Sequence, residues 1–110
     1  MPRNLTVYIN DMVSACEKIV SYVDGYDFQK FCSDEKTLDA VVRNLEIIGE
    51  AAKSIPEDFR SSHSDISWRK IAGLRDLLIH QYFGVDHEIL WNIVENQIPA
   101  LLNDLKKISI

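Results

Sequence analysis

The sequence predicts an all-α protein: an antiparallel four-helix up-and-down bundle whose last helix is kinked or split. Three observations predict it. Apolar residues recur at three-and-four spacing in four successive stretches, the period of an amphipathic helix. Nothing along the chain reads as a strand. The connections between stretches are short, which sets neighbouring helices antiparallel.

The first helix carries Leu5, Tyr8, Ile9, Met12, Cys16, Ile19, Val20 and Val23 on its apolar stripe, with Asn4 as candidate cap and Gly25 as candidate stop. A short aromatic segment, Tyr26 to Cys32, follows. The second helix is expected to start near Ser33, with Asp34 and Glu35 in its first turn suiting the positive end of the helix dipole. Its stripe is Leu38, Val41, Val42, Leu45, Ile48, Gly49, Ala52 and Ile55, and Pro56 marks its limit. Residues 56–66 read as a connector with one helical turn around Glu57, Asp58 and Phe59. The third helix is expected from Trp68, capped by Ser67, to about Phe83, with Gly84 as its stop. Ile66 and Ile71 have the spacing of a hydrophobic staple. Asp86 caps the fourth helix, where Val85 and Leu90 repeat the staple. Its apolar face runs from Ile89 and Leu90 to Leu105 and Ile108. Pro99 lacks a backbone donor and crowds the preceding turn, so it is expected to kink or split this helix.

At 110 residues the chain predicts a single domain, 1–110, long enough to hold a core without metal or disulfide staples. Twelve Lys and Arg against 17 Asp and Glu give a formal charge of -5, which argues against a protein that coats nucleic acid non-specifically. No apolar run reaches the roughly 18 residues of a membrane span, and the first residues show no signal-peptide core. Cys16 and Cys32 are too few for a disulfide scaffold and lack zinc-ligand spacing. A cytoplasmic setting is the expectation. Cys16 lies in a core stripe, where cysteine behaves as a small hydrophobe; Trp68 and Trp91 read as packing residues, and His63 and His87 as solvated.

The third helix carries the informative polar residues. On a wheel of about 100° per residue, Ile71, Leu74 and Leu78 cluster toward the core, with Leu77 beside them. Arg75 and Tyr82 lie nearly in line at the edge of that sector. Gly73, Asp76, His80 and Phe83 form a second line roughly opposite the core. Gly73 there would permit another helix to approach closely, and Asp76, one turn before His80, can orient its imidazole. The group is either a set of charges on a wet face or a surface that meets a second protomer. Between residues 60 and 75, Arg60, Arg69, Lys70 and Arg75 face only Asp65, a candidate RNA-facing patch. Glu46 and Glu50, one turn apart, read as salt-bridge partners of Arg43, Arg75 or another chain rather than as a metal pair, since two ligands do not close a shell.

Arg75-Asp76-Leu77-Leu78-Ile79-His80-Gln81-Tyr82 resembles the R-x4-H-x-Y motif of the HepT-like toxins, a branch of the HEPN ribonuclease superfamily. Arg43 through Ala51 resembles the family's second-helix signature, Trp68 through Asp86 the segment around its motif, and Trp91-Asn92-Ile93-Val94 with Ile98-Pro99 its final helix. The likeness covers nearly the whole chain. It implies a metal-independent endoribonuclease with no cofactor, acting as the toxin of a toxin–antitoxin pair. The implied enzyme is a homodimer that cuts RNA, tRNA or mRNA, in a cleft shared by two motif helices. It implies Arg75 and His80 as catalytic residues, with Asp76 in the polar position that follows the arginine. It further implies a partner, an MntA-type nucleotidyltransferase antitoxin, that silences the toxin by attaching AMP to Tyr82. The alternative is a non-catalytic helical dimer that docks a nucleotidyltransferase or binds nucleotide.

Overall fold

A computed structural model describes residues 3–81 and 86–108, with the side chains of Arg3, Asn4 and Ile79 to Gln81 outside the description. Every regular element among the described residues is helical. Helix α1 spans Arg3–Tyr22, α2 Phe28–Ser33, α3 Glu35–Lys53, α4 Glu57–Ser62 and α5 Trp68–Gln81. The last unit is α6, His87–Asn92, a widened π-helical stretch, Ile93–Gln97, and α7, Ile98–Lys106.

The stripes read from the sequence form one core. Met12, Cys16 and Ile19 of α1 are fully buried, as are Val41, Leu45 and Ile48 of α3; Leu74 and Leu78 of α5 and Ile98, Leu101 and Leu105 of α7 complete it. Side chains of this kind each contribute about 1.5–3 kcal/mol on burial, so the stripes and not the caps carry the fold. Helices α1 and α3 are antiparallel: Tyr26, just past the end of α1, bonds Asp34 and Thr37 at the start of α3, while Tyr8 and Asp11 of α1 share a hollow with Glu50 and Ser54 near the end of α3. Helix α5 lies on α3, and α7 packs on α1, where Lys106 reaches Glu17 at 3.6 Å.

Several boundaries differ from the sequence reading. Helix α1 already includes Asn4, so that residue is not its cap; Gly25 does close the turn behind it, at φ +77°, a conformation that glycine alone adopts without strain. The aromatic segment is itself a helical turn, α2, because the Asp27 carboxylate caps it by accepting from the Lys30 amide. Its Phe31 is fully buried and packs on Trp91 of α6 with ring centroids 4.9 Å apart. Asp34 stands before α3 as its cap, accepting from the Thr37 amide, instead of inside its first turn. Helix α3 stops at Lys53, and Pro56 stands just before α4 as its N-cap. Asp86 caps α6 as expected, accepting from the Glu88 amide at 2.8 Å. Gly84, Phe83 and the Val85 half of the second staple lie outside the described residues. The split at Pro99 takes the form of the π-helical stretch ahead of it: the Ile98 amide donates to the Ile93 carbonyl, five residues back, and the widened turn takes up the crowding that a proline imposes on the turn before it.

His87 is exposed, as expected, but His63 is not simply solvated. Its ring stacks on Phe59 at 4.1 Å, its Nδ1 lies 3.1 Å from the Phe59 carbonyl, and its own carbonyl accepts from the Trp68 indole. Cys16 is a core residue: burial first, then the neighbouring Glu17 charge, pushes its thiol up to about 12.

Candidate active site

The geometry around Arg75 begins with a glycine. Gly49 sits in the apolar stripe of α3, and a Cβ built on it would lie 2.8 Å from both the Cβ and the backbone N of Arg75. Only a residue without a side chain lets α5 come this close, so Gly49 fixes the height at which Arg75 leaves its helix. One residue further along α3, the Glu50 carboxylate is ion-paired to the Arg75 Nε. One turn beyond, Lys53 donates to Asp76 at 3.0 Å. Three consecutive contacts therefore seat the first half of the motif on α3.

Arg75 forms part of the wall of an open hollow of about 540 Å³, shared with Tyr8 and Asp11 of α1 and with Arg43, Glu46 and Glu50 of α3. Its side chain is 35% exposed and that of Glu50 65%, so the pair is wet on one side. A guanidinium has five donors in a fixed fork, and one carboxylate at Nε does not exhaust them. Glu46 faces Arg43 at 4.0 Å. Both carboxylates thus act as partners of arginines, as their spacing suggested.

The sequence-predicted site residues divide as follows. Arg75 and Asp76 are seated on α3 as above. His80 belongs to the last turn of α5 by its backbone, one turn past Asp76, and its side chain is outside the description. Tyr82 lies outside the described residues. The basic patch holds together only in part. Arg60 is used within the fold, donating from Nε to the Ile55 carbonyl and from a terminal nitrogen to the Lys53 carbonyl, where it closes the end of α3. With Arg75 drawn to Glu50, Arg69 and Lys70 are exposed on the connector side and share one open hollow with the half-buried Arg60. Gly73 is exposed, with no atom of the described residues within 4 Å of a built Cβ; the close approach among the described residues occurs at Gly49 instead. Sequence reasoning counted Gly49 and Tyr8 only as stripe positions and missed Lys53. The available signal was a glycine in the middle of a helix, which costs about 1 kcal/mol against alanine and so marks a contact that needs it.

Comparison with known proteins places the chain in a family. The family model described as "Ribonuclease HepT-like" matches residues 12–108. The chain belongs to the HepT-like ribonuclease family. It is 45% identical to a "Probable ribonuclease HepT" of Thermococcus cleftensis, over 98% of each chain. It is 44% identical to a "Putative RNase" of Caldanaerobacter subterraneus subsp. tengcongensis, over 92% of this chain and 90% of that one. A "Putative RNase" of Methanocaldococcus jannaschii is 41% identical over 99% of this chain and 88% of its own length. No solved structure matches. Among the described residues, no helix is long and apolar enough to cross a membrane.

Proposed function

We propose that this HepT-like chain is the toxin of a toxin–antitoxin pair, an endoribonuclease that cleaves RNA without a metal in a cleft formed by two copies of α5. The observation that carries the reading is the seating of Arg75: backbone pressed on Gly49, guanidinium gripped by Glu50, one side open to the hollow. A cation held in advance, where negative charge will grow, costs no reorganisation during reaction.

The chemistry follows from the residue types. The 2′-hydroxyl of the RNA attacks the adjacent phosphorus, the 5′-oxygen of the next nucleotide leaves, and a cyclic phosphate remains. One proton must leave the hydroxyl and one must reach the departing oxygen. Histidine exchanges protons near neutral pH, and two His80 residues related by a twofold axis divide the roles of base and acid. Arg75 takes the charge on the phosphoryl oxygens through its planar fork. Asp76 helps to orient His80 from one turn below while Lys53 neutralises its charge. An MntA-type nucleotidyltransferase silences the enzyme by transferring AMP from ATP to the hydroxyl of Tyr82, seven residues past Arg75 in the sequence, with release of pyrophosphate. A bulky anion there would obstruct RNA and compete for the guanidinium.

The test is cleavage of tRNA and mRNA by purified protein made without the nucleotidyltransferase, with EDTA present, beside His80→Ala and Arg75→Ala. Wild type is expected to cut and both variants to lose about 100-fold or more in rate. Equal inertness of all three would favour a docking module. Light scattering is expected to give twice the chain mass, and mass spectrometry after co-expression with the nucleotidyltransferase an AMP adduct on the Tyr82 peptide.

A further inference from the structure

We propose that Glu50 is a positioning residue for cleavage, acting through Arg75; the proposal rests on the ribonuclease reading above. Two constraints set the place of a guanidinium: where its Cα stands and how its side-chain torsions are set. The first is fixed by packing, because Gly49 leaves no room between α3 and the Arg75 backbone. The second is not. Arginine has several freely rotating bonds and much rotamer entropy, and Arg75 borders an open hollow with a third of its side chain in water. Glu50 supplies the second constraint by pairing with Nε, the nitrogen nearest the stem. Gripping the fork at that point aims the remaining donors without using all five.

Stability alone does not account for the pair. Glu50 is mostly exposed, and exposed ion pairs contribute little to folding. Removing its carboxylate is therefore expected to leave the fold intact while freeing Arg75 to swing. Loss of alignment by about 1 Å at a reacting centre can lower a rate by about 100-fold. Asp76 has its own partner in Lys53, so Arg75 and Asp76 are held by separate contacts. The Glu50 effect is confined to the arginine.

A mutant cycle on the full-length dimer tests this with single-turnover cleavage of one defined RNA. Glu50→Ala is expected to lower kcat by about 10- to 100-fold with KM changed less than threefold and the thermal midpoint within a few degrees of wild type. Glu50→Gln, which keeps an acceptor for Nε, is expected to recover part of the loss. In the Arg75→Ala background, Glu50→Ala is expected to add nothing, since it acts through a group no longer there. Unchanged kcat in Glu50→Ala, with Arg75→Ala inactive, would overturn the positioning role and leave the ribonuclease reading standing. Multiplicative losses in the double variant would overturn it equally. Full activity in Arg75→Ala would overturn both readings together.

Discussion

Asp34 shows how much a single half-buried carboxylate can be asked to do. It caps α3, accepts from the Tyr26 hydroxyl at 2.6 Å, and accepts from both the amide and the hydroxyl of Thr37. These bonds, that of Tyr26 first, lower its pKa from 3.8 to about 2. A lowered folded-state pKa means the carboxylate contributes stability above its unfolded value and loses it as pH falls through the folded one. Urea midpoints are therefore expected to drop between about pH 4 and about pH 2, and Asp34→Asn to flatten that drop while lowering the neutral-pH midpoint. The cysteines give a second test at this scale. Cys16 is fully buried with its thiol held protonated, whereas Cys32 is half-buried. Thiolate is the reactive form, so iodoacetamide near neutral pH is expected to label Cys32 alone in the native protein and both in denaturant. Labelling of native Cys16 would show that the core opens locally. Of these residues the sequence made Cys16 legible through its stripe position. Asp34 was misplaced by one step, because a cap and a first-turn acid look alike until the backbone is seen.

At the scale of the helix, two glycines make opposite predictions. Alanine at position 49 would put a methyl group 2.8 Å from the backbone of Arg75, and overpacking of this kind costs about 1–3 kcal/mol. A lower thermal midpoint and slower RNA cleavage are both expected, since α5 must lift off α3. Alanine at position 73 meets open space within the chain and gains about 1 kcal/mol of helix propensity. If the second subunit's helix seats on that face, Gly73→Ala stabilises each chain yet weakens the dimer, read by sedimentation against concentration. An unchanged dimer would locate the subunit contact elsewhere. Long apolar stripes were legible here because their period is set by burial alone. The short helices α2 and α4 were less so: one was read only as a short aromatic segment, the other as a single turn. At six residues each, they show too few repeats for a period and depend on contacts such as Phe31 on Trp91.

The whole molecule carries a net charge of -5, and its candidate site does not reverse that sign. Arg43, Arg75 and Lys53 are each matched by a carboxylate, on Glu46, Glu50 and Asp76. An RNA strand would meet paired charges, so few counterions would be released. The logarithm of KM is expected to rise with that of salt concentration with a slope of about 1–2, where each neutralised phosphate on a single strand adds about 0.7. A slope several times larger would mean that a broad basic surface carries RNA. The sequence made the motif visible as a string, but not its seating on α3, because Gly49 and Arg75 are far apart in the chain and their meeting depends on how two helices cross. The cluster from Arg60 to Arg75 looked continuous in one dimension; in three, Arg60, Arg69 and Lys70 share one hollow while Arg75 is drawn away to Glu50.

The two tryptophans have neighbours from different parts of the molecule, and this gives the protein a pair of built-in fluorophores. Trp68 is almost wholly enclosed beside Phe59 and the His63 carbonyl at the root of α5; Trp91 lies against Phe31. Replacing either by phenylalanine leaves one emitter with a known address. Docking of the proposed antitoxin or of a strand of RNA can then be followed by light at the foot of the motif helix, separately from events near α2 and α6, without attaching a dye.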